Sequence, residues 1–130
     1  MTSKAETKQA HRKERRLVAD YVRHLGAPSE IVCRHKIDAP DAAGPLYSDV
    51  FNKARNQLVE AKADTSRGSV RMAIGQLADY THFIESPIDR AILLPAKPSR
   101  DLIDLLEDQG ISVIWREGSG FRDNAGGAFT

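Results

Sequence analysis

Leu46-Tyr47-Ser48-Asp49-Val50-Phe51-Asn52-Lys53-Ala54-Arg55-Asn56-Gln57-Leu58-Val59-Glu60-Ala61-Lys62-Ala63 is the stretch on which the reading of this chain turns. Two strand-like runs, Leu46 to Phe51 and Gln57 to Ala63, flank the five residues Asn52 to Asn56, a common length for a hairpin loop. Side chains alternate along a strand, so Glu60 and Lys62 share one face while Ala61 takes the other. Pairing across the short loop brings Asp49 beside them. The run Leu58 to Ala63 is otherwise apolar, as in a central strand with two charges sunk into it. Buried charge needs a partner, a metal or a task. The competing reading is a plain cross-strand ion-pair surface.

Working outward, residues Lys4 to Leu25 avoid Gly and Pro, and Leu17, Val18, Tyr21, Val22 and Leu25 recur at helical spacing. Gly26 and Pro28 end that helix. Ile31 to Ile37 alternates as a strand, with His35 on its surface, and Asp38 to Pro45 is a loop. After the hairpin, Ser66 caps a helix running to about Phe83, with Val70, Ala73, Ile74, Leu77 and Tyr80 as its inner stripe. Ala91 to Leu94 reads as a strand buried on both faces. A helix over Arg100 to Gln109 and a last strand over Ile111 to Trp115 follow, with Gly110 between them. The order is α-β-β-β-α-β-α-β, and the final β-α-β unit implies a parallel, right-handed crossover. Four glycines among the last thirteen residues make 118–130 read as a flexible C-terminal tail behind one domain at 1–117.

Composition narrows the function classes. A chain of 130 residues suits one domain, and 41% apolar with 28% charged residues is ordinary for a soluble globular protein. No apolar run approaches the ~20 residues that a membrane helix needs, and the basic N-terminus lacks the apolar core of a secretion signal. The expected compartment is the cytoplasm. Cys33 is the only cysteine, which excludes an internal disulfide, a thiolate zinc site and an iron–sulfur cluster built from this chain. His11, His24, His35 and His82 are too scattered for zinc chemistry of the His-Asn-His type. Net charge is only +1, yet Lys4, Lys8, Arg12, Lys13, Arg15 and Arg16 face only Glu6 and Glu14 at the start of the chain. Such a cluster is either a phosphate-binding face or a solvated helix flank. Arg67, Arg71 and Lys97 are further candidates for backbone phosphate, and Trp115 reads as a core anchor.

Two acids and a lysine on one sheet face suit phosphodiester hydrolysis. A hard cation such as Mg²⁺ or Mn²⁺ takes oxygen ligands, which Asp49, Glu60 and the Ala61 carbonyl can supply together with water. The metal polarises the phosphoryl oxygen and lowers the pKa of bound water. Lys62 can orient the attacking water and offset charge developing on phosphate. On the following helix Gln76 and Tyr80 are four apart and share a face, with Arg71 and Met72 about a turn earlier. Tyr80 can equally be core, with Gln76 at a groove edge.

Ser48-Asp49, Glu60-Ala61-Lys62 and Gln76-Leu77-Ala78-Asp79-Tyr80 together resemble the PD-(D/E)xK nuclease superfamily, in its RecB-like branch with a Q-x-x-x-Y motif. The resemblance spans residues 4 to 95, about three-quarters of the chain. It implies a restriction-endonuclease-like αβββαβ core with an additional C-terminal αβ unit, a mixed central sheet flanked by helices. It further implies Asp49, Glu60 and the Ala61 carbonyl as ligands of Mg²⁺ or Mn²⁺, with Lys62 positioning water and stabilising charge. Gln76 and Tyr80 would line the site and contact nucleic acid or its water network. An acid from the first helix often completes the site in this superfamily, and Glu14 is the candidate over Glu6. Arg12, Arg16, Arg67 and Arg71 are the expected nucleic-acid contacts. The implied activity is DNA phosphodiester hydrolysis within a restriction, repair or phage-defence system, alone, as a homodimer or beside other domains of a larger protein. The alternatives are a catalytically inactive module of the same fold that binds DNA or a partner protein, and a structural assembly domain. Ser48 departs from the motif's usual proline, and no separate recognition domain is visible.

Overall fold

The computed structural model describes residues 3–34, 36–41 and 43–130; His35 lies outside them. Helix α1 spans Lys4–Leu25, the range read from the sequence. Ser3 and Glu6 form a reciprocal capping box at its start, and Gly26 closes it in the left-handed region at φ 66°. The strands are β1 (Val32–Cys33), β2 (Lys36–Ile37), β3 (Leu46–Tyr47), β4 (Val50–Asn52), β5 (Gln57–Ala61), β6 (Asp89–Leu94), β7 (Ile111–Glu117) and β8 (Gly120–Asp123). Helices α2 (Arg67–His82) and α3 (Arg100–Asp108) begin at the N-caps Ser66 and Ser99.

A six-stranded mixed sheet runs β1-β4-β5-β6-β7-β8. Its centre, β5-β6-β7, is parallel, and the outer pairs are antiparallel. The crossovers through α2 and α3 lie on one face, where Leu58, Ile92, Leu94, Val113 and Trp115 pack against Val70, Leu77, Leu102 and Leu106. The opposite face receives α1: Leu17 and Tyr21 cover Val59, Ala61, Ala91, Leu93 and Ile114. The fold is therefore mixed α/β, with helices on both sides of the sheet. Central strands buried on both faces explain why β5 and β6 read as apolar runs rather than as alternations. No helix of the described residues is long and apolar enough to cross a membrane.

Three stretches differ from the sequence reading. Ile31 to Ile37 is not one strand: Val32–Cys33 joins the main sheet against β4, while Lys36–Ile37 pairs with β3 in a separate two-stranded sheet. Leu46 to Phe51 likewise breaks at Ser48-Asp49, between β3 and β4. Neither run contains a Gly or Pro, so the sequence carries no breaker that would reveal them.

The third difference is at the end of the chain. Residues 118–130 are packed structure rather than a loose tail. Strand β8 pairs with β7, Phe121 meets Tyr21 edge to face, and Phe129 is buried against the α1 side of the sheet. Asp123 is the organiser. Its carboxylate accepts the N–H groups of Ala125, Gly127 and Phe129 at 2.8, 2.9 and 3.0 Å, and the Thr130 hydroxyl at 3.0 Å. Gly126 and Gly127 take positive φ, so these glycines make a closed turn that a Cβ would strain. Tyr21 then donates to the Phe129 carbonyl at 2.6 Å, and Gln57 donates to the Ala128 carbonyl at 2.7 Å. The turn thereby ties α1 to β5.

Partial burial pushes the Asp123 pKa up, but the four donors outweigh it and hold the carboxyl below its ordinary 3.8. A depressed acid contributes stability that is present above its unfolded pKa and is lost as pH falls through the folded value. Asp123→Asn should therefore lower the urea midpoint at neutral pH, with a cost of about 1–3 kcal/mol. Its stability should also fall less than that of the parent between about pH 5 and about pH 3. Equal acid sensitivity in the two proteins would contradict this role for Asp123.

Candidate active site

The register of β4 against β5 decides which side chains meet. Val50 pairs with Val59 and Phe51 with Leu58, so one step further along the ladder Asp49 stands opposite Glu60. Paired residues share a face. Val50 and Val59 face α1, Phe51 and Leu58 face α2 and α3, and Asp49 and Glu60 therefore also face α2. The chain bends at Asp49, and the Asp49 carboxylate takes the Ala61 N–H at 2.8 Å through Oδ2. A side chain thus closes the ladder beyond the end of β4. The break at Ser48-Asp49 is what turns the carboxylate inward.

Glu60 is 4% exposed and Lys62 is 6% exposed, although both carry formal charges. Lys62 lies one residue beyond β5, and its N–H still bonds the Leu93 carbonyl at 3.0 Å. That bond keeps the strand's alternation, so Lys62 stays on the Glu60 face. Burial, the nearby Asp49 charge and a carboxyl-to-carboxyl hydrogen bond with Asp49 push the Glu60 pKa to about 9, against the opposing pull of Lys62. Two carboxyls can bond each other only by sharing a proton. The second Glu60 oxygen, Oε2, is buried without a hydrogen-bond partner.

Helix α2 contributes the wall. Met72, Gln76 and Tyr80 lie on one i, i+4 ridge. Tyr80 is buried, and the Gln76 side chain hydrogen-bonds it. Burial, together with the charges of Glu60, Asp49 and Asp79, raises the Tyr80 pKa to about 12. Gln76 Oε1 is a second buried oxygen without a partner. Glu14 comes from α1 on the other side of the sheet and reaches the same end of β5. The Ala63 N–H bonds its carboxylate, and burial raises its pKa while Lys62 pulls it down and Asp49 adds to the rise. Asp49, Glu60, Lys62, Gln76, Tyr80 and Glu14 therefore form one electrostatically connected group.

The four arginines are elsewhere. At 100° per residue, Arg12 and Arg16 lie about 200° round α1 from Glu14, on its outer face, and both are exposed. Arg67 is tied to Asp101, and with Arg71 it flanks a 480 Å³ groove between α2 and α3 that Ile74, Gly75, Leu105 and Gln109 complete. That groove is on the opposite flank of α2 from Gln76. Lys97 stands over the Trp115 ring at 5.4 Å, and Trp115 is core, as its strand implied. Of the basic side chains on α1, His11 acts on Glu14, whereas Lys13 acts on Asp64 just ahead of α2. His11 stands three residues before Glu14, about 60° from it round the helix, so the two share a face.

The donors near Glu60 are oxygens only, which suits a hard cation rather than a soft one. Among the described residues no three His, Cys, Asp or Glu side chains form a metal-binding cluster on their own. An ion between Asp49 and Glu60 would therefore need the Ala61 carbonyl and water to complete its shell, with Glu14 acting from further out. The unpartnered Glu60 Oε2 and the shared proton are both features that a cation would relieve. No protein-family model, curated protein or solved structure matches the chain.

The raised acid has a consequence for stability. A carboxyl with a folded pKa above its unfolded one loses stability as pH rises from the unfolded value, near 4.5, toward about 9. In EDTA, Glu60→Gln should be at least as stable as the parent at neutral pH, and its advantage should grow toward pH 9. Mn²⁺ should raise the melting temperature of the parent but not of the variant. A variant less stable than the parent across this range would show that Glu60 is held as a charge by partners already in the protein.

Proposed function

We propose that the chain is a divalent-metal-dependent nuclease domain that hydrolyses DNA phosphodiester bonds. One observation carries the reading: two carboxylates, Asp49 and Glu60, are held against each other beside the buried Lys62. A protein that only needed stability would gain by replacing such a set with apolar residues, because desolvating like charges is costly. The element order around the main sheet, α1-β1-β4-β5-α2-β6, supports a restriction-endonuclease-like core, with α3 and β7 as the added unit. The resemblance of the Asp49, Glu60-x-Lys62 and Gln76-x-x-x-Tyr80 motifs points the same way.

Asp49, Glu60 and the Ala61 carbonyl would hold Mg²⁺ or Mn²⁺. When bound, the metal supplies Lewis-acid polarisation of the phosphoryl group and a more acidic water. The protein's own contribution follows from its side chains. Asp49 is fixed by the Ala61 N–H through Oδ2, so its other oxygen keeps one direction, toward Glu60. Lys62 is buried with its ammonium on the same face, where it can hold a water or a phosphate oxygen and offset developing negative charge. Gln76 Oε1 can accept from a water at the wall of the site, and Tyr80 stays protonated at working pH, hence a donor. Glu14 adds negative charge at the rim and balances Lys62.

The direct test is cleavage of plasmid and labelled oligonucleotides in Mg²⁺, Mn²⁺ or EDTA. Asp49→Asn and Lys62→Ala should each lower divalent-dependent cleavage by about 10²–10³ or more while the folded circular-dichroism signature persists. Lys62→Arg should not restore it, because the planar guanidinium replaces a compact ammonium in a buried slot. Full activity in Asp49→Asn or Lys62→Ala would remove those residues from the chemistry. Arg12→Ala should change cleavage less than His11→Ala, since His11 acts on Glu14 while Arg12 lies on the outer face of α1.

A further inference from the structure

The small sheet β2–β3 carries two different faces. Ile37 and Leu46, a register pair, turn inward onto the core beneath α2. The next pair, Lys36 and Tyr47, turns outward. Tyr47 is 41% exposed, and the Arg34 guanidinium stands over its ring at 4.4 Å from the centroid. Arg34, Lys36 and Tyr47 therefore make one basic, aromatic patch. Tyr47 precedes Asp49 by two residues, so their backbones are at most about 7 Å apart. Ser48, between them, is fully buried, which anchors the segment that presents both side chains.

An exposed tyrosine by itself is ordinary on a protein surface. Three observations together say more. The ring is stacked with a guanidinium, a second cation is its register partner, and the patch adjoins the paired carboxylates. With 41% of Tyr47 exposed although a guanidinium stands over its ring, the aromatic surface left in solvent can take a stacked group, which only an unpaired base can be; in a duplex the base faces are already stacked and the edges alone are exposed. Arg34 and Lys36 supply charge for the phosphates on either side of that base. We infer that Arg34, Lys36 and Tyr47 form a stacking platform for single-stranded nucleic acid, which directs an unpaired strand toward Asp49. The inference rests on the nuclease reading above, because it takes the neighbouring carboxylates as the point toward which the strand is led.

The test is fluorescence anisotropy in EDTA, with labelled oligothymidine and a duplex of equal length as probes. The intact protein should bind the single strand more tightly than the duplex. Tyr47→Ala should weaken single-strand binding about tenfold and leave duplex binding nearly unchanged. Tyr47→Phe should bind as the parent does, and Arg34→Ala with Lys36→Ala should flatten the salt dependence. Unchanged single-strand affinity in Tyr47→Ala, equal losses on both probes, or no single-strand binding by the parent each overturn the platform. Cleavage measured in parallel separates the two ideas. Divalent-dependent cutting with Tyr47-independent binding removes the platform alone. Tyr47-dependent binding without cutting by the parent removes the nuclease reading and leaves the platform standing.

Discussion

Asp49 and Glu60 are brought together by a strand register, and little in the rest of the molecule can change without moving them. The β4–β5 ladder fixes which residues oppose each other, and the hairpin loop, with Asn56 in the left-handed region, fixes that ladder. Parallel strands β6 and β7 then hold β5 at the centre of the sheet, where both of its faces are covered. Two carboxyls in such a place cannot both ionise without compensation. Glu60 meets that constraint by holding its proton well beyond the usual carboxylate range. The raised Glu60 pKa, the unpartnered Oε2 and the buried Lys62 beside them all express that one constraint.

The elements around the pair serve it in different ways. Small residues, Ala61 and Ala91, line the sheet face under α1, so the helix packs close and brings Glu14 to the end of β5. On the other face α2 crosses with its Val70, Ala73 and Leu77 stripe buried, which sets the Gln76 and Tyr80 ridge at the edge of the core. The C-terminal turn about Asp123 holds both α1 and β5 through Tyr21 and Gln57. It is far from the carboxylates in sequence, yet it fixes two of the elements that position them.

Much of this was legible in the sequence, and the reasons are local. α1, α2 and α3 carry cap residues and strong periodicity, so their limits follow almost residue for residue. Glu60 and Lys62 sharing a face follows from strand alternation alone. The separations of β1 from β2 and of β3 from β4 are not legible because neither run contains a Gly or Pro, and only the pairing partners change. The end of the chain reads as a linker because its composition is glycine-rich. Its order comes from one aspartate collecting four donors, a tertiary arrangement that composition does not express. Charge density along the chain marks Arg12 and Arg16, and position round the helix places both on the outer face of α1.

Asp49 and Glu60 are proposed to hold a divalent ion between them. Anomalous diffraction from crystals soaked in Mn²⁺ measures this directly. The expected result is a single strong peak about 2.1 Å from a carboxylate oxygen of each residue and from the Ala61 carbonyl. A map in which the two carboxyls still bond each other, with no manganese beside them at saturating concentration, would contradict it.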